Sequence, residues 1–489
     1  MADLTQIVIL GASGDLTSRK LVPALLGNFA EGHFDKAIQV IGVSRSRKAD
    51  EEWRRSLDAW IPPERADAWE RFDSCLSWVS ADVSVPEQAA GLGRRLDELA
   101  GSQTYNRLYY LALKPDLFGA TVRALSVSGL LRAEPGSGWR RVIVEKPFGR
   151  DLASARALNQ ELLEHVREEQ LFRIDHYLGK ETVQNILSFR FQNAIFEPLW
   201  NRKHVESVEI SVCETVAMEG KRGAYYDTAG AIRDMVQNHV MQVLALVAME
   251  PPASMDADAV RSEKVKVLTA LRTFRPDEVS DSVVRGQYAE GPARDHGYLA
   301  EPGVAADSST ETYVAIRAQI DNWRWSGVPF LLRSGKAMNK RYTEVVLRFK
   351  TPPLDLLAGP IAGQACALRP NDLRLLIQPL EGVRLSFLVK KPGAGMTMLK
   401  SELGFDYDDL DSGESPPAYQ RLLLDAIEGN ATLFIRGDEV EAAWTFVDAI
   451  RAGWEESDSP IYPYEAGSKG PEQADDLFHG CEGIWGSGP

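Results

Sequence analysis

Cysteine is scarce in this chain of 489 residues. Only four occur, Cys75, Cys213, Cys366 and Cys481, and they form no CxxC pair. Such scatter supports neither a zinc cage nor a disulfide framework; it fits a reducing compartment, so a cytoplasmic location is expected. Long apolar runs are missing as well, and nothing approaches the roughly 20 residues a membrane helix needs. The N-terminal MADLTQIVILGASG has a short aliphatic run before its first glycine and no basic leader. It reads as a first strand, not a signal peptide. Basic charge is also in short supply. Lys and Arg number 55 against 70 Asp and Glu, a net charge of −15, and such a surface repels nucleic acid. An anionic small molecule would then need a local concentration of Lys, Arg and His. No internal repeat or low-complexity tract appears.

What is present has the texture of a globular protein, with 44% hydrophobic and 26% charged residues. The length exceeds one ordinary core and implies two domains. In the first, QIVIL (Gln6–Leu10), QVIGV (Gln39–Val43), RLYYLAL (Arg107–Leu113) and RVIVE (Arg141–Glu145) read as buried parallel strands alternating with helices. That is a Rossmann-like, doubly wound α/β pattern. Further on, Val208/Ile210/Val212, Val314/Ile316/Ala318/Ile320, Leu373/Leu375/Ile377 and Val383/Leu385/Phe387/Val389 alternate with period two. They predict an α+β domain with a large antiparallel sheet, one face packed and one more polar. Tyr419, Leu422, Leu423, Ala426 and Ile427 share a helical face ended by Gly429, and Asp438 with Glu441 suggests a capping box opening another helix. The boundary falls near residue 175, giving domains 1–175 and 176–489. Glu134–Gly138 and Asp411–Pro417 read as loops.

After the first strand, Gly11-Ala-Ser13-Gly14-Asp15-Leu16-Thr17 leads into a helix. A glycine turn there permits close approach of a pyrophosphate to a helix N-terminus, although the spacing departs from GxGxxG. The second strand would end in Asp or Glu in an NAD site. Here Ser44-Arg45-Ser46-Arg47 follows instead. Guanidiniums and hydroxyls suit a 2′-phosphate, so NADP is preferred with NAD as the weaker alternative; a solvated basic turn is the plain reading.

Three segments concentrate the remaining charge: Glu145-Lys146-Pro-Phe-Gly, Arg173-Ile-Asp175-His176-Tyr177-Leu-Gly-Lys180, and Arg233-Asp234-Met-Val-Gln-Asn-His239. A histidine beside carboxylates suits proton abstraction from an alcohol during hydride loss. Taken singly, Lys146 could be a strand-end lysine, and His176 and His239 bonded core histidines. Together with Tyr225–Gly230 (YYDTAG), Trp325–Phe330 (WSGVPF), Leu332–Lys336 (LRSGK) and Ala466–Pro471 (AGSKGP), they make the chain resemble the glucose-6-phosphate dehydrogenase family over nearly its whole length.

The resemblance implies oxidation of glucose 6-phosphate at C1 with NADP. It implies His239 as general base, Asp175 as its orienting carboxylate and Lys146 between sugar and nicotinamide. His176, Tyr177 and Lys180 would hold the 6-phosphate, and Glu214, Asp234 and Lys336 the sugar. On an α-helix Asp234 and His239 would stand roughly 140° apart, which favours Asp175 as the partner. Extended backbone at Asp175 and His176 would send their side chains to opposite sides. The cofactor would lie on Gly11, Ser13, Gly14, Asp15, Leu16, Arg45 and Lys146, and a homodimer or homotetramer is expected, with no metal. Lys114 and Lys469 depart from the family's usual residues, and Lys390-Lys391 reads as a solvated strand end. The rival readings are a sugar oxidoreductase of the glucose–fructose type, which needs no phosphate clamp, and a silent NADP binder.

Overall fold

The computed structural model describes residues 3–34, 36–133, 136, 138–218, 223–354, 370–409, 416–457, 459–479, 485, 486 and 488. Cys366, Cys481 and parts of the two expected loops (134, 135 and 137; 411–415) lie outside the described residues. The chain divides into two compact units. The first comprises Met1–Lys180, Ala253–Arg261 and Pro416–Glu441; the second comprises Glu181–Pro252, Ser262–Ser415 and Ala442–Pro489. The expected boundary near 175 lies beside the first break. Two later segments join the first unit, which no single cut in the sequence could express.

The strands, in chain order, are β1 (Leu4–Leu10), β2 (Ala37–Ser44), β3 (Leu76–Ser80), β4 (Tyr105–Leu111), β5 (Arg140–Val144), β6 (Leu171–Ile174), β7 (Val205–Cys213), β8 (Val283–Ala289), β9 (Tyr313–Gln319) and β10 (Pro329–Gly335). They continue with β11 (Tyr342–Phe349), β12 (Asp372–Gln378), β13 (Gly382–Lys390), β14 (Met398–Asp406), β15 (Phe434–Ile435) and β16 (Ile461–Glu465).

In the first unit the sheet order is β15-β6-β5-β4-β1-β2-β3. β1 to β6 are mutually parallel, and β15 closes the edge antiparallel to β6. All of β1 is buried, as strands covered on both faces must be. The register is even: Leu10 stands opposite Val43 and Leu111, Leu111 opposite Val144, and Val144 opposite Arg173. Strand order reverses between β1 and β4, and that switch point is where open α/β sheets leave a crevice. β3 and β6 escape the sequence reading because they are short and interleave Ser or Arg with apolar residues, and β15 because it is only two residues long. The RLYYLAL strand stops at Leu111, since the chain turns at Ala112.

In the second unit the order is β14-β13-β12-β11-β7-β10-β9-β8-β16. Pairing is antiparallel except for β7 with β10 and β8 with β16. The expectation of one polar face fails at β7, where Glu209 and Ser211 are fully buried. Both have partners: Gly486 N–H donates to Glu209 at 2.6 Å, Arg348 pairs with Glu209 at 3.2 Å, and Arg333 Nε donates to Ser211 Oγ at 3.0 Å. Buried polar groups are tolerated when satisfied in this way. The helix Ala418–Glu428 ends at Gly429 as expected. The next helix starts at Gly437, and the residue capping it is Glu439, which accepts from Arg436 N–H at 3.0 Å. Glu441 instead pairs with Arg156 at 3.0 Å.

One residue fixes the turn after β1. Gly11 has φ +93°, and a Cβ there would lie 2.2 Å from the Ala112 carbonyl oxygen. Gly11→Ala therefore meets both positive-φ strain and a backbone clash, and is expected to cost on the order of 2–4 kcal/mol. Urea unfolding checks this; an unchanged midpoint would show that the turn relaxes freely.

Candidate active site

Candidate residues fall into two groups, one on each unit. In the first unit they follow the carboxyl ends of the parallel strands. After β1, Gly11 and Ala12 donate to the Val43 carbonyl at 2.8 and 3.0 Å, and Gly14 N–H returns to Gly11 O at 3.0 Å. Ser13, Gly14 and Asp15 are exposed at the head of the helical run 15–30, while Thr17 is buried against the fold. A Cβ at Gly14 would meet only Gly11 O, at 3.3 Å. An open backbone turn at a helix start, placed at the switch point, fits a pyrophosphate. Asp15 is engaged with Arg19 at 2.8 Å, and Leu16 is half-buried. Past β2, Ser44 Oγ and Ser46 Oγ lie 2.7 Å apart and Arg45 is exposed. The Ser84 hydroxyl, with a smaller contribution from Arg45, holds the Asp82 carboxyl below its usual range. Lys114 is exposed beyond β4.

Past β5 comes Glu145, followed by Lys146 and a cis peptide to Pro147. Burial pushes the Glu145 carboxyl up, against the pull of hydrogen bonds from Tyr110 and Tyr419 and of the Lys146 charge. Tyr110 and Tyr419 both donate to Glu145 Oε1, the latter at 3.1 Å. Burial raises both phenols, and the Glu145 charge adds to it.

β6 ends at Ile174, so Asp175 and His176 are not the extended pair expected. Instead Asp175 turns the chain, accepting from Tyr177 N–H at 2.9 Å through its side chain and from Leu178 N–H at 3.0 Å through its carbonyl. Asp175 and Tyr177 are buried by this turn; His176 and Lys180 are half-buried. The His176 ring lies 5.2 Å from the Tyr177 ring, and Lys180 Nζ sits 5.0 Å over that same ring. One tyrosine thus carries two basic groups.

In the second unit, β7 and β10 run parallel with Cys213 opposite Gly335, so Glu214 and Lys336 emerge side by side. Lys336 Nζ donates to Glu214 Oε2 and lies 5.4 Å over the Tyr226 ring. Glu214 N–H is fixed to Gly335 O at 2.9 Å, and Lys336 N–H to Thr312 O at 2.9 Å. Burial drives the Tyr226 phenol well above its usual range, and the nearby charges of Asp234, Glu311 and Glu214 push the same way. The helix Gly223–Ala231 breaks at Gly230, where Glu311 accepts from Ile232 N–H at 2.8 Å. The next segment, Ile232–Val240, is a π-helix containing half-buried Asp234 and buried His239. In i→i+5 winding, residues five apart lie nearly above one another. The α-helical separation expected for Asp234 and His239 therefore does not apply, and that ground for excluding Asp234 falls.

Glu145, Tyr419 and Tyr226 were not among the residues singled out. Glu145 and Tyr226 stood inside recognised strings without a role. Tyr419 read as one more apolar position on a helix face, and nothing local marks its partner 274 residues away. Lys390 is exposed and donates to Gly393 O at 2.8 Å, as a solvated strand end would.

Comparison with known proteins finds one family over nearly the whole chain. The family model for the glucose-6-phosphate dehydrogenase NAD-binding domain matches residues 8–185, and that for the C-terminal domain of the same enzyme matches 187–486. A glucose-6-phosphate 1-dehydrogenase from Aggregatibacter actinomycetemcomitans is 44% identical over 98% of this chain and 96% of its own. One from Rhizobium meliloti is 44% identical over 98% and 96%. A solved glucose-6-phosphate dehydrogenase in complex with its substrate glucose 6-phosphate superposes with TM-score 0.90 at 34% identity, covering 99% of this chain and 98% of that one. The glycine turn, the charged segments and these full-length matches agree: this chain belongs to the glucose-6-phosphate dehydrogenase family.

Proposed function

We propose that this chain oxidises glucose 6-phosphate at C1 to 6-phosphogluconolactone, the first step of the oxidative pentose phosphate pathway, with NADP preferred over NAD. Family membership over nearly the whole length carries the reading. The bound nicotinamide supplies the hydride acceptor. Ser13, Gly14, Asp15 and Leu16, after the Gly11 turn, would hold its pyrophosphate at the helix start. Arg45 would meet the 2′-phosphate, supported by its exposure past the end of β2, where an NAD site would carry a carboxylate.

His239 removes the C1 hydroxyl proton, since a neutral imidazole is a competent base near pH 7. Asp175 orients that ring and stabilises the imidazolium formed. Lys146 steadies the sugar beside the nicotinamide. Glu214, Asp234 and Lys336 hold sugar hydroxyls, and the Glu214–Lys336 pair offers both an acceptor and a donor. His176, Tyr177 and Lys180 take the 6-phosphate. They form the local basic group that an acidic chain needs for an anionic substrate. A glucose–fructose type reaction on free sugar would leave that group without a purpose.

No helix among the described residues is long and apolar enough to cross a membrane. A cytoplasmic location is proposed, supported by free Cys75 and Cys213. A homo-oligomer is also proposed. Among the described residues β14 is the last strand of its sheet, and Leu403 (63%), Phe405 (37%) and Val389 (37%) are exposed on it and on β13. Free edges of this kind invite pairing with a second copy.

Three substitutions test the assignments. Arg45→Ala is expected to raise the KM for NADP roughly 10- to 150-fold, the range of one charge-assisted bond, with little change for NAD. Equal effects on both would remove Arg45 from the 2′-phosphate. His239→Asn should lower kcat by roughly 10²–10⁴-fold with substrate affinity nearly kept, and normal turnover would assign the proton to another group. Lys180→Ala should weaken glucose 6-phosphate binding roughly 10- to 150-fold while sparing the slow reaction with free glucose. An equal loss for both sugars would place Lys180 in the fold or at the reacting carbon.

A further inference from the structure

The first unit contains a helix that reaches both the Glu145-Lys146 segment and the His176 turn, and one residue on it touches both. The helix Ala418–Glu428 lies against the N-terminal part of its unit through its first turns. Asn28 Nδ2 donates to the Gln420 carbonyl at 2.9 Å, and Gln420 Nε2 donates to Glu31 Oε2 at 2.6 Å. It lies equally close to the His176 turn. A Cβ on Gly179 would come within 2.6 Å of the Ala418 carbonyl oxygen and 2.9 Å of the Leu422 side chain. Glycine in the HYLGK string is thus required by the approach of this helix, which leaves no room for a Cβ.

Tyr419 stands between these fixed points. Its hydroxyl donates to Glu145 Oε1 at 3.1 Å, one residue before Lys146. Its ring is parallel to the His176 imidazole, 4° between planes and 6.4 Å between centroids, within the range of offset stacking. Tyr110, which is wholly buried at the end of β4, also donates to the Glu145 carboxylate, and the Lys146 backbone bonds it too. Tyr110 anchors the carboxylate from inside the sheet, whereas half-buried Tyr419 holds it from the side that carries His176.

We propose that Tyr419 is a positioning residue with two separable functions: its hydroxyl sets the Glu145-Lys146 segment on the cofactor side, and its ring sets His176 on the phosphate side. This rests on the reading of Lys146 and His176 given above. Tyr419 touches no substrate in this assignment and acts through its two neighbours. Because each contact uses a different part of the side chain, chemistry can remove one and keep the other.

Steady-state kinetics of the full-length protein decide the matter. Tyr419→Phe keeps the ring and removes the hydroxyl. It is expected to lower kcat/KM for NADP on the order of 10-fold, the loss of one bond to a charged group, with KM for glucose 6-phosphate within about twofold of the parent. Tyr419→Leu removes both contacts and should add a rise in that KM of roughly 2- to 12-fold, the range of an aromatic pair. Gly179→Ala, which crowds the His176 turn against the helix, should raise the same KM by a larger factor than it lowers kcat/KM for NADP. The proposal is overturned if Phe and Leu at 419 give the same profile for both substrates. It is equally overturned if either variant melts lower yet retains parental kinetics, since packing alone would then explain the residue. Should Leu fail to fold, the Phe variant and Gly179→Ala still have to show opposite selectivity. Failure of the parent protein to turn over glucose 6-phosphate would strike at the proposed reaction instead, and is told apart by running it first.

Discussion

Leu10, Val43, Leu111, Val144 and Arg173 stand in one row across the first sheet because neighbouring parallel strands pair without offset. Each strand therefore ends at the same level, and the chain leaves all of them at one edge. The glycine turn, the basic Ser-Arg pair, Glu145-Lys146 and the Asp175 turn are separated by long stretches of sequence, yet share that edge through register alone. Antiparallel pairing would have sent alternate segments to the opposite edge. The second unit repeats the device on a smaller scale. β7 and β10 are parallel neighbours inside a mostly antiparallel sheet, and Glu214 and Lys336 meet because of it.

Charge is used with economy on this frame. The chain as a whole is acidic, so attraction of a phosphorylated substrate cannot come from the mean field. In the proposed site it comes from short range, from His176 and Lys180, which both lie against Tyr177 in one turn. Carboxylates are handled differently. Glu145 and Glu311 are desolvated, and their carboxyls sit above the usual range because burial outweighs the hydrogen bonds made to them. Such groups are costly to hold and serve to fix the geometry around them. Glu145 does so for the Lys146 segment and Glu311 for the break before the π-helix.

Much of this was legible in the sequence, for identifiable reasons. Aliphatic runs marked the four central strands of the first sheet, and period-two runs marked β7, β9, β12 and β13 of the nine in the second. The glycine turn and the charged strings marked the segments that gather at the strand ends. What stayed hidden depends on residues far apart in the chain. Glu209 and Ser211 of β7 are buried with Arg333, Arg348 and Gly486 to satisfy them, and hydropathy cannot report a satisfied carboxylate. The π-helix depends on the Gly230 break and on Glu311, some 80 residues further on, so an α-helical rotation misplaced Asp234 relative to His239. Tyr419 belongs to a segment that joins the first unit only through tertiary packing.

On the proposed function this chain selects a phosphorylated sugar and oxidises it with a nicotinamide dinucleotide. Comparing kcat/KM for glucose 6-phosphate and for free glucose, each with saturating NADP, tests it most directly. Two or more charge-assisted contacts to the phosphate should favour glucose 6-phosphate by at least about 10²-fold. Comparable values for the two sugars, or no turnover of glucose 6-phosphate with either NADP or NAD, would contradict the account.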